Sequence, residues 1–195
     1  MRWGLMRRHF KNLTGIEKFV QHLIDSLLYL SLKIKKMLKL YKNINGQLHY
    51  WETWDVNEKS GMIHWGIVGE KGQDKVIESG LFSNFTKKIQ SEVDVLVKDG
   101  YHQIEDEDHS ILLIEYQVDG MGTPQDIDKR TRLQSRMDDT LGWTGLGNCD
   151  GGSIGSGTME VACFVVDFKI AKDIIEKDLK GTEFENYIRI YDENE

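Results

Sequence analysis

The stretch MLKLYKNINGQLHYWETWDVNEKSGMIHWGIV, residues 37–68, decides the fold of the first half of the chain. Met37 to Tyr41 alternates apolar and polar side chains and runs on to Asn45-Gly46, the pair that best tolerates the two positive φ angles of a tight hairpin turn. Leu48 to Trp54 is a second strand, rich in aromatics. Asn57-Glu58-Lys59-Ser60-Gly61 turns the chain, and Met62 to Val68 returns as a third strand. Gly69-Glu70-Lys71-Gly72 turns it again, before a weaker fourth strand from Asp74 to Gly80. Phe82 to Lys98 then reads as a helix, because Phe82, Phe85, Ile89, Val93 and Leu96 recur on one face. Gly100 stands where a helix ends in a left-handed residue.

The charged run Glu105-Asp106-Glu107-Asp108 marks a domain boundary. Beyond it, Ile111–Tyr116 is a continuous apolar strand. A turn at Gly120–Pro124 leads to a polar helix from Asp126 to Leu141, with Ile127, Leu133, Met137 and Leu141 inward. Trp143–Asp150 and Gly157–Val166 read as strands joined by a glycine-rich hairpin centred between Ser153 and Ile154. Phe168–Lys180 is a helix and Tyr187–Tyr191 a last short strand. The order β-α-β-β-α-β is that of a ferredoxin-like unit, whose first and third strands lie mid-sheet and are here the apolar runs. The fold class is therefore α+β, with residues 37–108 and 109–195 as two domains.

Before both lies a different texture. Residues 1–36 carry eight basic and two acidic side chains, while the rest carries 17 basic against 30 acidic. Thr14-Gly15-Ile16-Glu17 has the form of a capping box, and Ile16 to Leu28 follows as an amphipathic stripe. Arg7-Arg8 has the look of a twin-arginine export signal, but Glu17, Lys18 and Asp25 interrupt the apolar run, and no cleavage site follows. The same charges exclude a spanning helix there. Residues 1–36 are thus read as a basic amphipathic extension dispensable for folding, and the protein as cytoplasmic. An acidic body disfavours salt-driven nucleic-acid binding. Two cysteines make no disulfide framework; the assumed hairpin register sets Cys149 opposite about Thr158 and Cys163 opposite about Thr144, too far apart to bridge.

His64-Trp65-Gly66-Ile67-Val68-Gly69-Glu70-Lys71-Gly72-Gln73, together with Gly100-Tyr101 after the helix, resembles the signature of WGR domains over roughly residues 37–105. That signature is a Trp-Gly-Arg strand, a G-x-x-G turn and a Gln. The resemblance implies a small antiparallel sheet packed on one long helix. It also implies binding rather than catalysis: WGR domains of poly(ADP-ribose) polymerases contact DNA ends and neighbouring domains through Trp and Arg, and those of bacterial proteins are inferred to bind nucleic acid. The second half is similar only to an extension in uncharacterised bacterial proteins. The implied contact residues are Trp65, Ile67, Lys71 and Gln73. Ile67 stands where the family has Arg and offers neither charge nor donor. Trp65 and Ile67 share one strand face, where Trp65 can still stack on a base.

The remaining chemistry is sparse. Gly151-Gly152-Ser153-Ile154-Gly155 has the letters of a hydrolase nucleophile elbow, but no helix follows and the last histidine, His109, lies upstream. No phosphate-loop pattern, metal-ligand spacing or catalytic pairing of histidine and nucleophile is present, so neither cofactor nor metal is expected. The hairpin could admit a small ligand to bare backbone, with Asn148, Asp150, Ser153, Ser156 and Thr158 as polar contacts. The expected function is a non-enzymatic WGR-like binding protein for a protein partner or a nucleic-acid end. The alternative is a small-molecule sensor or enzyme built on that hairpin.

Overall fold

A computed structural model describes residues 37–80 and 83–194. The expectations for residues 1–36 and for Phe82 lie outside the described residues. The architecture is α+β: two antiparallel four-stranded sheets with three α-helices among the described residues.

The first sheet runs β1 (Leu38–Ile44), β2 (Gln47–Asn57), β3 (Ser60–Ile67), β4 (Gln73–Glu78), in spatial as in chain order. Asn45 and Gly46 take φ of 54° and 85° and set Ile44 opposite Gln47. This register places Lys39 opposite Glu52 and Leu40 opposite Trp51. The next turn contains a bulge between Asp55 and Asn57, beyond which His64 falls opposite Glu52 and Trp65 opposite Trp51. Alternate residues therefore serve two faces. Leu38, Leu40, Trp51 and Ile63 pack on Phe85, Ile89 and Val93 of α1 (Phe85–Lys98). Asn84 caps that helix by accepting from Thr86 N at 2.7 Å. Gly100, at φ 94°, lets Tyr101 N reach back to Leu96 O at 3.0 Å and closes the helix.

The second sheet is built from β5 (Ser110–Gln117), β6 (Gly147–Gly155), β7 (Thr158–Val165) and β8 (Arg189–Asp192), with α2 (Pro124–Trp143) and α3 (Phe168–Leu179) between them. Its spatial order is β6-β7-β5-β8, every neighbouring pair antiparallel. A capping box of Thr123 and Asp126, with Pro124 in the first turn, starts α2. Leu133, Met137 and Leu141, spaced by four, are its buried stripe. Ile127, expected inward, is instead 50 % exposed. It sits six residues before Leu133, about 120° round the helix from that stripe. The acidic run expected as a boundary forms a 3₁₀ turn at Asp106–Asp108. The larger apolar cluster continues across it, since Tyr41 and Tyr50 of the first sheet, and Val68 just beyond β3, share it with Leu112, Leu141 and Val165 of the second unit.

The glycine-rich hairpin differs from expectation. It turns at Ser156-Gly157, with φ of 54° and 91°, so β6 starts at Gly147 and absorbs most of the glycines, while Trp143 ends α2. A bulge between Cys149 and Gly152 shifts the register. A Cβ on Gly152 would lie 2.3 Å from Glu160 O, so β6 can run this close to β7 only as bare backbone. Because the turn lies three residues later than expected, Cys149 faces Cys163 directly rather than Thr158, so the expected separation of the two cysteines along the ladder does not hold. Both are buried free thiols, and Cys149 Sγ donates to Ala162 O at 3.2 Å. The Cys149 side chain, together with burial, holds the Cys163 thiol far above the ordinary thiol range.

A protonated, enclosed thiol is a poor nucleophile. The folded protein at about pH 8 should leave Cys163 unmodified by an aromatic disulfide reagent, and denaturant should release both thiols for reaction. Modification of Cys163 in the folded protein at the rate of an exposed thiol would contradict this packing.

Candidate functional site

The register of β1, β2 and β3 gathers four polar side chains on the sheet face turned away from α1. Glu52 stands between Lys39 and His64 as their cross-strand partner, and Tyr50 lies two residues from Glu52 on the same face. His64 Nδ1 donates to Glu52 Oε1 at 2.6 Å, since a carboxylate only accepts, and in that tautomer Nε2 accepts from the Tyr50 hydroxyl at 3.0 Å. Lys39 Nζ lies 3.0 Å from Glu52 Oε2 as a charge partner, outside hydrogen-bond alignment. Tyr50, Glu52 and His64 are each only 1 % exposed. Burial, then the charge of Glu52, push the Tyr50 hydroxyl well above the ordinary phenol range.

Hydroxyl, imidazole and carboxylate in series have the order of a hydrolase relay, which no spacing in the sequence suggested. Here the hydroxyl is an enclosed phenol that holds its proton. Two glycines of the Trp65–Gly72 stretch make room for it. A Cβ on Gly72 would fall 2.2 Å from the Tyr50 oxygen and 2.4 Å from Trp65 O, and one on Gly66 would crowd the Tyr50 ring at 3.2 Å.

The same face docks the second unit. Gly69 N donates to Thr144 O at 2.8 Å, and the Tyr41 hydroxyl to Gly145 O at 3.1 Å. Trp143, at the end of α2, meets the His64 ring edge-on at 4.9 Å and the Trp54 ring at 6.4 Å. The Trp143 ring remains 41 % exposed and separates two clefts. One, of about 510 Å³, is lined by Glu52, Trp54, His64, Asp138, Asp139 and Trp143. The other, of about 490 Å³, has Lys71, Asp74, Thr144 and Asp178 beside Asp139 and Trp143. Asp138 Oδ1 accepts from Cys149 N at 3.1 Å.

Of the residues singled out from the sequence, Trp65 is half-buried against the α1 cluster, with Lys75 Nζ 5.5 Å from its ring centre. Ile67 is half-buried too, while Lys71 and Gln73 are exposed. Lys71 alone of these four lines a cleft beside Trp143. The five hairpin residues do not converge. Asn148 and Asp150 line a small cleft of about 280 Å³ with His109. Ser153 Oγ donates to Glu160 at 2.9 Å, Ser156 forms the turn, and Thr158 Oγ1 reaches Gly155 O at 3.4 Å. No three His, Cys, Asp or Glu side chains among the described residues are grouped to hold a metal ion. Sequence reasoning missed Tyr50, Glu52, Trp54, His64 and Trp143. The Asn45-Gly46 turn alone places Lys39 opposite Glu52, but the bulge at Val56 hides the next partner.

Breaking a buried ionic pair by removing one member costs roughly 3–5 kcal/mol, and losing one buried hydroxyl bond about 1 kcal/mol. Glu52→Ala should therefore lower the urea-unfolding free energy by about 4 kcal/mol, and Tyr50→Phe by about 1 kcal/mol. Equal, small effects from both would show that Glu52 does not organise this face.

Comparison with protein-family models, with curated proteins and with solved structures yields no significant match for this chain.

Proposed function

We propose that this is a non-catalytic, cytoplasmic binding protein, with a WGR-like domain followed by a ferredoxin-like one, and that its partner is a protein. The WGR-like reading is supported by the roles of Gly66 and Gly72, whose bare backbone closes over Tyr50 and His64. The ferredoxin-like reading is supported by the β-α-β-β-α-β element order and by a sheet whose two inner strands are the first and third of that unit. No helix among the described residues is long and apolar enough to cross a membrane.

One observation carries the binding role: Trp143 stands 41 % exposed between two clefts to which both units contribute walls. Large aromatics in such a position dominate protein contacts when they are covered. Lys71, on the turn that follows Trp65, borders the same tryptophan. Trp65 itself is half covered by the α1 cluster, which favours the Trp143 surface as the contact.

Affinity capture from a lysate of the source cells, with and without nuclease, tests this reading. The wild-type chain should retain a protein after nuclease, Trp143→Leu should lose it, and Trp65→Leu should keep it. Loss of the captured protein on nuclease treatment would favour the nucleic-acid-end reading, and equal capture by Trp143→Leu would move the contact off this surface.

A further inference from the structure

We infer that the cleft between Trp54 and Trp143 is a receptor for a cationic side chain, and that its occupant is an arginine of a basic segment on the protein partner. This rests on the binding reading above and adds the chemistry of recognition.

Three independent features point to a cation. The first is aromatic. The Trp54 and Trp143 rings stand nearly perpendicular, 6.4 Å apart at 81°, and both line the cleft, with Trp143 41 % exposed, so indole surface beyond their mutual contact is open to an occupant. A guanidinium within about 6 Å of an indole face is attracted by the ring quadrupole. The second is the charge on the wall. Asp138 spends one oxygen on the Cys149 amide, and the Asp139 side chain makes no ion pair or hydrogen bond among the described residues. Glu52 is already matched by Lys39, so the two aspartates are the uncompensated charges of the cleft. The third is long-range. Residues 37–195 carry 17 basic against 30 acidic side chains, a field that draws in a basic segment and repels phosphate.

Arginine fits better than lysine on geometric grounds. Its planar fork can lie on an indole while donating to carboxylates at its edge, and it sheds water more readily than an ammonium does. A cleft of about 510 Å³ leaves room for the side chain and for the backbone that presents it. The Tyr50–His64–Glu52 series holds the floor in place, since the His64 ring packs on Trp143 at 4.9 Å.

The test titrates the full chain by calorimetry with a twelve-residue peptide of alternating glycine and arginine, and with the same peptide carrying citrulline in place of arginine. Citrulline keeps the shape and removes the charge. The arginine peptide should bind and the citrulline peptide should not. Trp143→Leu should weaken binding about fivefold, and Asp139→Asn, which is isosteric and solvent-facing, about threefold. Trp65→Leu should leave it unchanged. Equal binding of the two peptides, or no loss in Asp139→Asn, would overturn the inference. If capture still depends on Trp143 while arginine and citrulline peptides behave alike, the partner surface stands and the cation falls. Carbodiimide treatment of the full chain completes the test. An amide joining Asp138 or Asp139 to Lys11 or Lys18 would place the chain's own residues 1–36 in the cleft and overturn a separate partner.

Discussion

The structure depends on one buried carboxylate. Glu52 is 1 % exposed, and an ionised carboxylate at such a position is tolerable only when charge partners and donors come with it. Lys39 brings a charge from β1 and His64 a hydrogen-bond donor from β3, so satisfying Glu52 requires both neighbouring strands to be in one register. A slip by one residue would turn each side chain to the opposite face and leave the charge alone. The hydrophobic pattern permits the register and the ion pair enforces it.

From that pairing the rest of the molecule is positioned. With His64 held at Nδ1, its other nitrogen meets Tyr50, and its ring offers an edge to Trp143. Tyr50 also fills the space over Gly145, where even a Cβ would lie 2.2 Å from its ring. The second unit thus docks on a surface whose shape is set by a polar network beneath it. Apolar packing by Tyr41, Tyr50 and Val68 then makes one continuous cluster out of two sheets. A binding surface at Trp143 inherits this rigidity, because both of its walls rest on the same buried series.

Much of this was legible in the sequence, and the failures share a cause. Asn45-Gly46 marked its turn, the Phe85–Val93 stripe its helix, and Ile111–Ile114 and Val161–Val166 the inner strands, because each signal is local. Two bulges were not legible. The one between Asp55 and Asn57 concealed the partnership of Glu52 with His64, and the one between Cys149 and Gly152 moved Cys149 by one place, on top of a turn three residues later than the glycines suggested. A bulge adds one residue without changing the apolar alternation enough to announce itself. Glycine runs mislead in the same direction. Gly151 to Gly157 has the composition of a loop, yet most of it is strand that must approach its neighbour closely. The Trp143 surface was hidden for a different reason, since its walls come from residues far apart in the chain.

The outer face of the second sheet carries a row whose members arrive at very different times. Glu115 lies opposite Glu160, a like-charged pair that Arg189 and Tyr191 relieve: Arg189 pairs with Glu115, and the Tyr191 hydroxyl donates to Glu160 at 2.6 Å. Glu115 and Arg189 are 74 residues apart. At synthesis rates of about 5–20 residues per second, β5 waits roughly 4–15 s after its translation for the strand that covers its far edge. During that interval an apolar strand with an open edge is exposed to other nascent chains. Glu115, next to the end of Ile111–Tyr116, is the charge that discourages such pairing. The same carboxylate that must be relieved in the finished sheet protects the unfinished one on the ribosome.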